Sequence, residues 1–454
     1  MKAANPLKLF GTLLIVSMIF IFSCTKTRTI TETITEIVND TIIETVTDTL
    51  TLHLDPALVA EGKEIFRYDT FGDEAFWSDI LHIDKAILGD ALDGYGDGVS
   101  PATALAVGLK VDAEAIPLEV AAAIQAGEVD LNDPATTIAL LKMNAVVGVT
   151  GTFNEEGNMT AVGINCALCH SSVDNSFADG IGRRLDGYPN RDLNVGAIIN
   201  LTDNKKFLAD LLHVDEPTVE AVLTGWGAGK FNAGLMVDGI ALKPDGSIAA
   251  NLLPAAYGLQ GVNLATYTGW GDIVYWNAFV ANLEMHGQGS FTDSRLNDAA
   301  QFPIAAENNF GNITNDPDLI TPKLPGLQAY QLSLHAPTPP EGSYDMAAAT
   351  RGKTLFNGSA LCATCHIAPM YTDAGYNLHS AEEIGIDDFE AKRSPTGMYR
   401  TTPLRGLFAR MKGGFYHDGR FATLNDVINH YDNHFGLELN AQDKIDLEEY
   451  LKSI

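Results

Sequence analysis

The sequence predicts a mainly α-helical fold with long loops: an N-terminal helical region followed by two domains, each built around one copy of the same motif. Three observations carry this. A Cys-x-x-Cys-His pentapeptide occurs twice, as CALCH at 166–170 and CATCH at 362–366. Helix-like apolar stretches alternate with glycine-rich segments that imply many turns (42 glycines in 454 residues), and strand content is expected to be low throughout. A chain of this length has room for two or three domains, each able to bury its own core.

The N-terminus reads as a targeting segment. Lys2 and Lys8 form a short basic region, and Leu9 to Phe22 is an almost unbroken apolar run that meets Ser23 and Cys24. Such a run is short for a spanning helix and normal for a signal segment. The Ile-Phe-Ser-Cys ending resembles a bacterial lipoprotein cleavage box, so residues 1–23 are expected to be a signal peptide and Cys24 the lipidated first residue of the mature chain. A retained anchor and ordinary signal cleavage are the alternatives. All three place the body of the chain outside the cytoplasm, lipid-anchored on the first reading and facing the periplasm or the exterior.

Residues 24–56 are rich in Thr, Ile and Glu and hold no Gly or Pro before Pro56. They are expected to be a tether, with a short oligomerising segment as the alternative. Residues 57–150 form the N-terminal helical region, with helices expected at 114–126 and 135–147, the second started by Asp133-Pro134. Met143 and His82 read as packing or surface residues. The first motif domain is expected over 151–340 and the second over 341–454. Thr338-Pro339-Pro340 marks the boundary, and the helix-like MAAATRGKTLFN stands just ahead of CATCH.

Charge excludes some partners. There are 58 acidic and 29 basic residues, a formal net charge of −29, with no long acidic run to account for it. Such a surface disfavours nucleic acid and anionic membrane. It favours a basic protein partner, at a rate that falls with salt.

The two motifs carry the chemistry. Two thiols three positions apart can both reach the vinyl groups on one edge of a haem, and the adjacent histidine then turns under the ring to supply a nitrogen to iron. The expected cofactors are therefore two covalently bound haem c groups, on Cys166, Cys169 and His170 and on Cys362, Cys365 and His366. A redox dithiol or a zinc site is the alternative. With Cys24 the motifs account for all five cysteines, leaving none for a disulfide.

The stretch YRTTPLRGLFARMKGGFYHDGRFATLNDVINHYDNHFG, residues 399–436, resembles the C-terminal signature of the bacterial di-haem cytochrome c peroxidase superfamily, in particular its MauG-like and RoxA-like branch. The likeness covers about residues 160–454 and implies two cytochrome c-like domains. It implies a six-coordinate, electron-transferring haem in the C-terminal domain and an oxidant-binding haem in the other. The distal ligand of the first of these falls on Tyr431, fourteen residues beyond His417, with His430 or His434 as alternatives. The distal histidine of the oxidant-binding haem falls on Asp186, which implies that the usual ligand does not close this iron. A calcium-binding asparagine falls on Asn194, and its carbonyl partners fall on Lys412 and Gly414 in place of threonine and proline.

Further residues complete the expected site. Trp270 and Trp276 are candidates to bridge the haems, or are plain core. Glu284 is a candidate acid–base group for cleaving a peroxide O–O bond, with Met285 and His286 as neighbouring alternatives and His286 a candidate distal ligand. His417 and Asp418 are expected to support the second pocket by hydrogen bonds, and Arg405 and Arg420 to pair with haem propionates. The expected function is reduction of hydrogen peroxide at the His170 haem with electrons relayed through the His366 haem from a donor protein. An oxidase or oxygenase acting on an organic or protein substrate, with peroxide or oxygen as the small oxidant, is one alternative. A non-enzymatic electron carrier is the other.

Overall fold

Pro56 opens the first helix of the described chain, residues 54–375 and 377–454 of a computed structural model. The expected signal peptide, Cys24 and nearly all of the expected tether lie outside these residues. Helix α1 (Pro56–Tyr68) is capped by Asp55, whose carboxylate accepts from the Ala57 N–H, and it begins with a proline whose missing N–H is no loss there. Its apolar side carries Ile65 and Phe66 into a core with Ala167, Met285, Leu327 and Tyr330. Full burial of side chains of this size contributes roughly 1.5–3 kcal/mol each. Gly62 allows the close crossing of α1 with the helix at 324–333: a Cβ there would lie 1.8 Å from the Gly326 carbonyl oxygen.

After three short helical segments, Glu74–Trp77, Ile83–Leu88 and Pro101–Ala106, the N-terminal region carries α2 (Leu118–Gln125) and α3 (Pro134–Lys142). Asp133 caps α3 by accepting from the Ala135 N–H, as its sequence suggests. Both are shorter than expected. Pro117 separates α2 from a single 3₁₀ turn at Ala113–Ala115, and the residues after α3 are drawn into a strand. Trp77, Leu81, Leu140, Leu141 and Val162 share one core here.

Seven short strands frame the first motif: β1 (Lys110–Asp112), β2 (Val146–Val147), β3 (Val149–Phe153), β4 (Met159–Ile164), β5 (Ser171–Val173), β6 (Ile181–Gly182) and β7 (Arg184–Asp186). They form a sheet of order β2-β1-β6 and two antiparallel pairs, β3–β4 and β5–β7. The CALCH segment is the link from β4 to β5. Because β1 pairs parallel to β6, the N-terminal region and the stretch after CALCH are built into one sheet.

The chain continues through α4 (Lys205–Leu212), α5 (Glu216–Trp226) and α6 (Ile273–Phe279). The last runs directly into one π-helical stretch, Val280–Glu284. Helix α7 (Leu324–Ser333) returns to pack on α1. The C-terminal part is a helical cluster of α8 (Met346–Phe356), α9 (Leu424–Phe435) and α10 (Ala441–Lys452) around Ala349, Phe356, Leu424, Ile428, Leu447 and Tyr450. Both α9 and α10 start with reciprocal capping boxes, Thr423 with Asp426 and Asn440 with Asp443. Helices dominate and the strands are short. Among the described residues no helix is long and apolar enough to cross a membrane.

Candidate functional site: two cavities, each with a Cys-x-x-Cys-His wall

CALCH is seated by contact with the strand register beneath it. Gly148, at φ +88°, joins β2 to β3, and a Cβ there would lie 2.1 Å from Leu168 Cα, between the two cysteines. The segment Ala167–His170 then makes one helical turn, which brings Cys166, Cys169 and His170 onto the wall of a single cavity of about 280 Å³. His170 Nδ1 lies 3.1 Å from the Pro254 carbonyl. A carbonyl can only accept, so Nδ1 carries the hydrogen and Nε2 keeps its lone pair for the cavity.

Two expected residues of this first site have other work. Asp186, in the place of a distal ligand, does not line the cavity. It sits on β7, beside β5, and accepts from Arg67 of α1, Arg184, Ser171 and Tyr330 of α7. Burial pushes its pKa up, but Arg184, the Tyr330 hydroxyl and Arg67 hold it below the usual carboxylate range. Asn194 spends its side-chain oxygen on the Ala197 N–H, capping a short helix, and the Lys412 carbonyl already accepts from Arg191. The calcium reading finds no support in these atoms.

The interior of the first cavity is apolar apart from a few groups, and Glu284 is the most unusual of them. It ends the π-helical turn, a distortion often found at functional positions. Both carboxyl oxygens are buried without a hydrogen-bond partner, and burial pushes the pKa well above the ordinary value. Met285 and His286 also line the cavity. His286 adopts φ +61° and stacks on Phe76 at 3.8 Å, and burial lowers its pKa to about 4, so it is a neutral imidazole. Trp276 lines the cavity, whereas Trp270 lies behind it among Phe279, Phe302 and Arg295. Neither tryptophan reaches the second cavity. Phe76, Trp77 and Leu81 bring the N-terminal region into the wall of the first.

The second motif repeats the geometry of the first. Cys362, Cys365 and His366 line a cavity of about 350 Å³. His366 Nδ1 lies 2.9 Å from the Tyr371 carbonyl, which again leaves Nε2 bare. Tyr431, on α9, lines the same cavity; burial pushes its pKa up to about 12, with the thiols of Cys365 and Cys362 adding to the shift. The alternatives on α9 are occupied elsewhere: His430 Nε2 meets the Ile384 carbonyl at 2.8 Å and His434 Nε2 the Glu383 carbonyl at 3.0 Å.

His417 also borders this cavity, buried and stacked on Tyr399, but its Nε2 makes no hydrogen bond and burial lowers its pKa to about 4. Its neighbour Asp418 is bound to Lys243 and Arg420. Arg420 is thereby committed to Asp418 and Asp387, and Arg405 is exposed; neither lines a cavity. The arginines that do are Arg191, Arg400 and Arg410.

One lining residue has no counterpart in the expected set. His379 lies between Asp373 (Nε2 to Oδ2, 3.0 Å) and Glu383 (Nδ1 to Oε1, 2.7 Å). Burial disfavours its charge, but the two carboxylates more than offset this and raise the pKa. With Cys365 and Asp373 it makes the single grouping of potential metal-binding side chains among the described residues. Three donors that include a motif thiol are fewer than a structural zinc site needs.

The donor sets suit haem c better than a dithiol. Burial pushes the thiols of Cys166 and Cys169 up to about 12 and that of Cys362 up to about 11, the reverse of what a reactive dithiol requires. Each cavity supplies two thiols and one imidazole with its hydrogen on the outer nitrogen, which is what covalent attachment and axial ligation need.

Part of the chain is similar to MauG. Over 91 residues it is 38% identical to the methylamine utilization protein MauG of Methylorubrum extorquens, across 19% of this chain and 25% of that protein. The match thus spans a quarter of the relative's length. No family model matches the chain. Among solved structures, hydrazine synthase of Kuenenia stuttgartiensis aligns over 47% of this chain and 76% of its own, with a TM-score of 0.31 and 17% identity. A MauG-like protein associated with microbial copper homeostasis aligns over the same shares, with a TM-score of 0.30 and 18% identity.

Proposed function

We propose that the chain is an exported, lipid-anchored di-haem c-type redox enzyme that reduces hydrogen peroxide at the first cavity with electrons relayed through the second. The observation that carries this reading is the inequality of the cavities. The first holds an unpaired, buried carboxylic acid and a neutral histidine. The second offers Tyr431. The partial likeness to MauG supports the haem chemistry.

Cys166, Cys169 and His170 would hold haem c here, and its iron would supply the redox centre for reducing peroxide with two electrons and two protons to two waters. The chain's own residues do the rest. The Pro254 carbonyl fixes the His170 ring and, by accepting its Nδ1 hydrogen, raises the basicity of Nε2. Burial favours the protonated form of Glu284, which can deliver its proton to the departing oxygen. The apolar wall excludes water, which strengthens every charge–charge term inside. Tyr431, on the wall of the second cavity, would offer a hard oxygen donor to a haem held by His366, suited to a low-potential relay. The acidic surface would draw a basic electron-donor protein.

A second reading is favoured by one feature. Leu212 of α4, Val214 and the α5 residues Val219 and Val222 also line the first cavity, an apolar wall suited to an organic substrate. Optical and EPR spectra of the purified protein test both. One high-spin haem that responds to peroxide is expected. Two low-spin haems, inert to peroxide and to oxygen in both redox states, would leave an electron carrier.

A further inference from the structure

Arg400 is the one described residue that lines both cavities. Its backbone N–H donates to the Tyr267 carbonyl at 2.9 Å and its Nη1 to the Leu264 carbonyl at 2.5 Å, while Nε is buried with no partner. Arg191 and Arg410, on the wall of the second cavity, share this condition. Each has a buried Nε without a partner; their guanidiniums donate to the carbonyls of Lys412 and Pro403, and Arg191 also lies beside Tyr267. Among the described residues none of the three makes a salt bridge.

That is a costly arrangement in a chain with twice as many acidic as basic residues. Carboxylates are supplied elsewhere in the same fold: the buried Arg393 has both Asp238 and Glu390. The guanidiniums also repel one another. Burial and then the charge of Arg410 lower the pKa of Arg400 to about 10. A cluster of this kind is stable only with an anion in reach, and its position fixes where the anion sits.

We propose that Arg191, Arg400 and Arg410 form the anion site for the propionate carboxylates of the bound haems, and that Arg400 serves both haems at once. The inference rests on the haem reading above. It assigns a consequence to each residue. A cation beside a propionate favours the reduced iron, so its loss lowers the reduction potential. Arg400 therefore couples the two potentials, whereas Arg191 and Arg410 act on the His366 haem alone.

Spectrally resolved redox titrations of the holoprotein test this. In Arg400→Gln both midpoint potentials are expected to shift to more negative values. In Arg410→Gln only that of the His366 haem should shift, and in Arg405→Gln, at an exposed position, neither. Arg400→Lys keeps the charge and should stay close to the parent, which separates charge from folding if the glutamine variant is poorly formed. An Arg400→Gln protein with one potential or both unmoved overturns the assignment, as does a lysine variant that behaves like the glutamine one. Inorganic phosphate added to the parent is expected to change nothing; a phosphate-dependent shift would mean the arginines face a free anion and would also overturn it. Fewer than two haems per chain in a pyridine haemochromogen assay of the parent would instead refute the haem reading itself.

Discussion

Replacing Glu284 by glutamine separates the chemistry of this carboxyl from its cost. Both oxygens are buried without a partner, so burial keeps the proton on in the folded state. In the unfolded chain the same group ionises near 4.5. Above that pH the folded state binds one proton more than the unfolded state. Stability therefore falls as pH rises, by about 1.4 kcal/mol per pH unit, until the folded-state pKa is passed. Glutamine keeps the volume and removes the slope, so above pH 5 the variant should gain on the parent as pH rises, until the folded-state pKa of Glu284 is passed. Peroxide turnover should move the other way, falling by about 10²–10⁴-fold, the usual contribution of a positioned proton donor. Urea unfolding at several pH values and stopped-flow peroxide reaction read the two effects in one pair of proteins. Parallel stability profiles would show that Glu284 does not hold its proton. Turnover within a few-fold of the parent would show that the proton is not used.

Other expectations follow from the packing. Tyr431→Phe should alter the optical and EPR signature of the His366 haem and leave that of the His170 haem in place; an unchanged spectrum refutes the ligand assignment. Arg393→Leu strands Asp238, whose side chain is 1% exposed, and should cost about 3–5 kcal/mol in urea unfolding. A loss below about 1 kcal/mol would mean the pair is effectively solvated. Gly148→Ala forces a Cβ into Leu168 at a positive φ and should cost about 1–3 kcal/mol or more while lowering the haem content of the first site alone. Equal haem loss at both sites would contradict the seating role of this glycine.

The local chemistry was legible in the sequence, and the long-range geometry was not. Two CxxCH pentapeptides specify their own short helical turns, so both cavity walls were readable from five residues each. The helix start at Pro134 was readable because Asp133 caps it by a contact two residues away. Asp186 shows the limit. The family resemblance put it in the place of a lost distal ligand but could not say what it does instead: β5–β7 pairing turns it toward Arg67 and Tyr330, contacts that span 119 and 144 residues. The propionate arginines show the same limit within one segment. Arg400, Arg405, Arg410 and Arg420 all lie in the stretch 399–436, most of it irregular before α9. With no helical or strand period to assign faces, residue type could not tell a buried guanidinium from one held by Asp418. His379 had no signal at all, since its partners Asp373 and Glu383 give it meaning only once the loop is folded.

The depth of the four motif thiols sets an order on how the protein is made. Cys166 belongs to the core closed by α1 and α7, whose chain segments lie on either side of it in sequence. Cys362 belongs to the core closed by α9 and α10, which are synthesised later than the motif itself. A thiol must be a thiolate, and must be reached, to join another group. Once these helices dock, each thiol is half-buried on a cavity wall and burial raises its pKa. On the haem reading, attachment at CALCH is easiest before the return of α7, and attachment at CATCH before the arrival of the C-terminal helices. On that reading, haem offered to a chain already folded should form its thioether bonds more slowly than haem offered during folding. Biogenesis, on this view, is a race between modification and collapse, and the last element to fold is the seal.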